Sequence, residues 1–203
     1  MQLRRSWQKT QETNQLPFPA SPSIRTALLG SACVSFQGLT AFGEGRWRDL
    51  TAFGPQALVG STAVMLRAAE AMFRGELPLT TLDCAVFVLT ELGTPVLGEA
   101  DREVLWRAFL VPVFELCVDR SGNLIAAECD AHDGWHLADP KLEFLSGGTE
   151  LFIRRRGSPG TEVRTGMKAE RAPIPCCCGN EASLIRNIRM LERVQFPPLA
   201  ATA

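Results

Sequence analysis

The chain has 203 residues, of which 46% are apolar and 21% charged, with a formal net charge of −1. That length can bury one full domain core, and the charge balance leaves no electrostatic case for nucleic acid or an anionic membrane surface. No apolar run reaches a membrane span, and the N-terminus, Met-Gln-Leu-Arg-Arg-Ser-Trp-Gln-Lys, lacks the apolar stretch of a secretory leader, so a cytoplasmic location is expected.

In chain order, residues 1–23 are polar and carry Pro17, Pro19 and Pro22, which predicts a flexible arm. Residues 26–36 (TALLGSACVSF) read as a buried strand. The glycines at 38, 43, 45 and 54 predict a loop over 38–54. Ala57 to Gly60 reads as a short strand, and Ser61 then caps a helix to Arg74, with Val64, Met65, Ala68, Met72 and Phe73 facing inward. Residues 82–92 (LDCAVFVLTEL) are almost wholly apolar, the pattern of a strand covered by helices on both faces. A second amphipathic helix is predicted over 99–109, burying Val104, Leu105, Ala108 and Phe109, and a strand over 111–118. This alternation predicts a parallel sheet.

Beyond Asp119 the texture changes. Short apolar runs at 124–129, 141–145 and 151–155, separated by turn residues, read as antiparallel strands, and 183–194 as a short helix or strand. The expected fold class is α/β: a partly parallel sheet with flanking helices, followed by a smaller antiparallel β region carrying a Cys/His metal site. The expected layout is a flexible N-terminal arm (1–23), an α/β layer (24–120), the antiparallel region with the metal site (121–195) and a frayed tail (196–203).

The seven cysteines are odd in number and three are consecutive, which fits metal ligation in a reducing compartment better than a disulfide framework. Cys129-Asp-Ala-His-Asp-Gly-Trp-His136 and Cys176-Cys-Cys-Gly-Asn180 supply Cys129, His136, Cys176 and Cys178. Three thiolates and an imidazole are a structural zinc set with no open position, and such an ion would pin two distant parts of the chain together. His132 and His136 stand four apart, but Gly134 disfavours a helix and no glutamate follows His132, so a hydrolytic zinc motif is not expected. The spacing leaves open whether His132 replaces His136 as ligand. Cys33, Cys84 and Cys117 lie in apolar runs and read as core. Gly60-Ser61-Thr62 reads as a helix cap rather than a phosphate loop, and the run Arg154-Arg155-Arg156 as a solvated charge run. No nucleophile–base pair or carboxylate dyad is visible, so no catalytic residue is assigned.

Four segments resemble the adenylate-forming acyl- and aryl-CoA ligases, in particular the phenylacetate-CoA ligase branch. They are residues 57–75 (ALVGSTAVMLRAAEAMFRG), 91–109 (ELGTPVLGEADREVLWRAF), 125–136 (IAAECDAHDGWH) and 163–179 (VRTGMKAERAPIPCCCG). The resemblance implies zinc on the Cys and His positions named above. It also implies a nucleotide site, of which Arg164 and Thr165 are the surviving part. The departures are as informative. No Ser/Thr/Gly-rich phosphate loop with a lysine precedes residue 57. Where the family has Tyr-Gly-x-Thr-Glu, this chain has Cys117-Val-Asp-Arg-Ser121, and Met167 stands where the family's ribose-binding aspartate would be. The lid domain with its catalytic lysine would follow Arg189, and the sequence ends at Ala203. Together these departures lead us to expect a trimmed relative, not catalytic by itself, that holds structural zinc and does not use ATP, AMP or CoA. It would serve as a binding or accessory module, either as a homo-oligomer or with a protein that completes the absent lobes. The rival expectations are residual acyl/aryl-CoA ligase activity completed by a partner chain, and a zinc-dependent hydrolase or redox protein.

Overall fold

The computed structural model describes residues 16–191, apart from 18, 21–22, 33, 140, 148–149, 158, 161, 173–175, 181 and 183. The arm expected over 1–23 falls largely outside the described residues, and Cys33 and the tail over 196–203 fall wholly outside them.

Among the described residues, nine strands form one sheet. Five are parallel: β1 (Thr26–Leu29), β2 (Leu39–Phe42), β3 (Ala57–Ser61), β4 (Ala85–Glu91) and β5 (Val113–Val118), in the spatial order β2-β1-β3-β4-β5. Four antiparallel strands extend the sheet beyond β5, in the order β6 (Leu124–Glu128), β7 (Trp135–Leu137), β12 (Leu184–Met190) and β11 (Met167–Arg171). The strands β8 (Leu142–Gly147), β9 (Glu150–Arg155) and β10 (Val163–Arg164) form a separate antiparallel sheet. The antiparallel region expected after Asp119 is therefore divided, with part of it continuing the parallel sheet.

Helices α1 (Trp47–Phe53), α2 (Thr62–Phe73) and α3 (Glu99–Phe109) all contribute to one core layer, where Leu50, Met65, Ala68, Leu105 and Phe109 meet Leu29, Leu58, Val86 and Val88 of the sheet. Among the described residues, the opposite face, with Val59, Phe87, Phe114 and Leu116, is covered by chain outside the helices and strands that includes Leu16, Ile24, Val34 and Phe36. Among the described residues the helices pack on one face of β4, where the sequence led us to expect them on both. A doubly buried strand is apolar whatever excludes the water, so its composition does not say what covers it. Burying Phe87 fully contributes on the order of 2–3 kcal/mol under either cover.

Other expectations shift in detail. The strand expected to run to Phe36 ends at Leu29, and the loop expected over 38–54 contains β2 and α1, with Gly54 closing the helix. Ser61 stands at the N-cap of α2 but makes no side-chain cap hydrogen bond. The inner stripe of α2 runs through Ala69 and Ala71, so Phe73 is 61% exposed, while Val104 of α3 is 39% exposed. Small side chains bring the helix close to the sheet, and the bulky one at its end is left outside. Arg154 lies between Glu143 (2.6 Å) and Glu162 (3.2 Å).

Candidate metal centre

Cys129 follows the last residue of β6, and His136 is the middle residue of β7. The loop between them doubles back, with the His132 amide donating to the Cys129 carbonyl (3.0 Å). Gly134 makes the return possible. Its φ is 133°, and a Cβ there would stand 1.9 Å from the backbone oxygen of Ile185. Only glycine lets β7 lie this close to β12, where Trp135 pairs with Ile185 and His136 with Leu184.

The second half of the site is a tight turn. The Gly179 amide donates to the Cys176 carbonyl (3.2 Å), which puts Cys177 at the exposed tip and sends Cys176 into the protein at 5% exposure. The Asn180 amide donates to the Cys178 sulfur (3.4 Å), and the Ala182 amide donates to the Asn180 side-chain oxygen (2.9 Å).

The two halves meet. The ligand atoms of Cys129, His136, Cys176 and Cys178 all lie within 4.8 Å of one another. Cys129 Sγ and Cys176 Sγ are 3.6 Å apart, and Cys178 Sγ is 3.5 Å from His136 Nε2. In a tetrahedral zinc site, with Zn–S near 2.3 Å and Zn–N near 2.0 Å, S···S and S···N edges come to about 3.8 and 3.5 Å. The two observed edges lie close to these values. His136 Nδ1 is 3.1 Å from the Ala182 carbonyl, to which it donates, and this leaves the Nε2 lone pair facing the sulfurs. The donor set and its spacing fit a zinc ion. A hydrogen bond from the Cys178 amide pulls the Cys176 thiol down to about 6, whereas burial pushes Cys129 up to about 12. His132 lies outside the four. Its ring stacks on Phe114 (5.0 Å), and its Nδ1 is 3.7 Å from Glu128.

A buried carboxylate network adjoins the centre, and reading the sequence did not single it out. Arg102 grips Glu128 with two hydrogen bonds (2.9 and 3.1 Å), and Glu128 also accepts the Glu115 amide (2.8 Å). The Glu115 carboxylate, 4% exposed as a residue, accepts the Thr90 hydroxyl, the Leu97 amide (2.7 Å) and Trp135 Nε1 (3.2 Å). Burial raises its pKa despite these donors. The network joins the end of β4, the middle of β5, the end of β6, the turn before α3 and the strand that carries His136. A lone glutamate inside the apolar run Val113-Phe-Glu-Leu-Cys-Val118 was the signal available in the sequence.

Arg164 and Thr165 stand on the small sheet and just beyond it. Arg164 Nε donates to Glu150 (2.8 Å), and its guanidinium is 76% exposed. Thr165 is 2% exposed, and its hydroxyl donates to the Leu151 carbonyl (2.6 Å) while accepting the Met167 amide (3.1 Å). Met167 is fully buried, in a cluster with Trp135, Leu151, Ile153 and Ile185. Cys84 is part-buried and Cys117 buried in the core.

No protein-family model matches the sequence, and no curated protein matches it. Solved structures do. 2-Hydroxyisobutyryl-CoA ligase, in complex with 2-HIB-AMP and CoA in the thioesterification state, superposes with a TM-score of 0.60 at 13% identity. The match covers 81% of this chain and 43% of that one. Coronafacic acid ligase from Pectobacterium brasiliense gives a TM-score of 0.59 at 12% identity, over 86% of this chain and 41% of that one.

The chain shares its fold with part of these two ligases.

At these identities the likeness is one of fold, and the chain spans about two fifths of the length of those ligases. Among the described residues no helix is long and apolar enough to cross a membrane.

Proposed function

We propose that this chain is a zinc-clamped portion of an adenylate-forming ligase scaffold, of the phenylacetate-CoA ligase type, acting as a binding or accessory module. The observation that carries this reading is the convergence of three sulfurs and one imidazole within 4.8 Å from two segments some forty residues apart. Zinc held there would be structural, because four protein ligands leave no position for water. The same closure gives a zinc hydrolase no support.

In this reading the module does not form acyl-adenylates by itself. At the position where the resemblance calls for a ribose-binding aspartate, Met167 is packed in the core and offers no acceptor to the solvent side. The hydroxyl of Thr165 is engaged with the backbone, and Arg164 is tied to Glu150. Chemistry at phosphorus depends almost wholly on positioned charge, so losing those contacts removes the reaction. A partner, either a second copy of the chain or a protein carrying the remaining lobes, would complete the assembly.

The test is metal analysis of the purified chain together with pyrophosphate exchange into ATP over a panel of acyl and aryl acids. The reading expects one zinc per chain and no exchange. Acid-dependent exchange by the chain alone would overturn it. A second reading keeps adenylate chemistry, with the phosphate loop and lid supplied by another polypeptide. The likeness to a ligase solved with 2-HIB-AMP and CoA favours it, and exchange that starts only when the partner is added would establish it.

A further inference from the structure

A cavity of about 590 Å³ opens onto one side of the metal centre, walled by Cys129, His136 and Cys178 together with Leu124, Asp130 and Asn180. Cys176 is not part of its wall and is 5% exposed. Cys129 is therefore open to a small solute from the cavity. Its sulfur lies 3.6 Å from that of Cys176, which is buried behind it. An accessible thiol backed by a sheltered one is the arrangement in which a first oxidation is captured by a second sulfur.

Building on the metal-centre reading, we infer that Cys129 and Cys176 are a peroxide-sensitive pair whose disulfide opens the zinc clamp. With zinc bound, Cys129 would be held as a thiolate although burial raises its free thiol to about 12, and this thiolate attacks one oxygen of hydrogen peroxide. An S–O bond forms, the O–O bond breaks, and hydroxide leaves, taking a proton to become water. The Cys176 thiolate then attacks the sulfenic sulfur. The S–S bond forms, the S–O bond breaks, and a second hydroxide leaves as water with another proton. Two electrons pass from the two sulfurs to one peroxide. Two of the four ligands are consumed, so the ion keeps only His136 and Cys178 and dissociates. The turn at residues 176–179 loses its metal tether to β6 and β7, although the new disulfide still joins Cys176 to Cys129. A dithiol with fresh zinc reverses the change.

Cys178, which lines the same cavity, and Cys177 are the competitors. Cys177 is exposed at the tip of the turn and lies outside the group of four. The experiment treats the zinc-loaded full chain, and separately its Cys177→Ser variant, with graded hydrogen peroxide. Zinc release is followed with a chromogenic chelator, and disulfides are mapped by peptide mass spectrometry. Both proteins should release one zinc per peroxide consumed, with a single intramolecular bridge between residues 129 and 176, reversed by dithiothreitol and zinc. Zinc retained while peroxide is consumed at Cys177 would overturn the inference, as would release with a bridge joining any other pair. A chain that neither carries nor takes up zinc defeats the metal reading instead. Mapping of that metal-free chain still decides whether residues 129 and 176 pair under peroxide.

Discussion

The imidazole Nε2 of His136 lies 3.5 Å from the sulfur of Cys178, although 42 positions separate them in the chain. The contact joins the strand β7 to the turn at residues 176–179. A ligand bound only by the folded state stabilises it by mass action. With zinc at a hundred times its dissociation constant, that amounts to about 2.7 kcal/mol. Chelation, or Cys178→Ser, is expected to lower the Tm by about 5–10 °C for a domain of this size. Calorimetry with and without chelator checks this, and the chelator should have no effect on the variant.

Gly134→Ala places a methyl against the Ile185 carbonyl, where the Cβ would stand 1.9 Å away, at a φ of 133° that side chains rarely adopt. Neither strand can yield without breaking the β7–β12 pairing. We expect a loss of about 3 kcal/mol or more, read by urea unfolding, together with weaker zinc retention because His136 lies two residues further on.

Glu128→Ala removes the partner of a half-buried Arg102 and the acceptor of the Glu115 amide. Breaking a pair of this kind costs about 3 kcal/mol. Changing Arg102 to Met in the same chain should recover about 1 kcal/mol, since the orphaned charge goes with it. A double-mutant cycle in urea measures both values.

Glu150 is held below the ordinary carboxylate range, first by the Arg164 hydrogen bond and then by the Gly166 amide. Its folded pKa lies below the unfolded 4.5, so its stabilisation is present above about pH 4.5 and is lost as the pH falls through the lower folded value. Glu150→Gln should lower the Tm at neutral pH, and the gap from the parent should narrow steadily in acid. A gap that stays constant from pH 7 to about pH 3 would show that the ionised carboxylate is not responsible.

Much of the architecture was legible in the residues. The apolar runs at 57–60, 82–92 and 111–118 mark strands, because a strand buried on both faces has to be apolar. The helix over 99–109 announced itself by its period, and the four candidate ligands by residue type. The helix α1 and the strand β2 were hidden among glycines at 43, 45 and 54, which belong to turns and to a helix end rather than to one continuous loop.

What the sequence determined by itself was which four side chains could serve as soft ligands and the run of strands and helices, since both follow from side-chain chemistry and local period. Three things were decided only by the tertiary structure. The antiparallel strands β6, β7, β12 and β11 extend the parallel sheet, Glu115 finds its three donors, and four ligand atoms meet within 4.8 Å. Each depends on distances between segments far apart in the chain, and local preference has no means of encoding such distances until the core has packed.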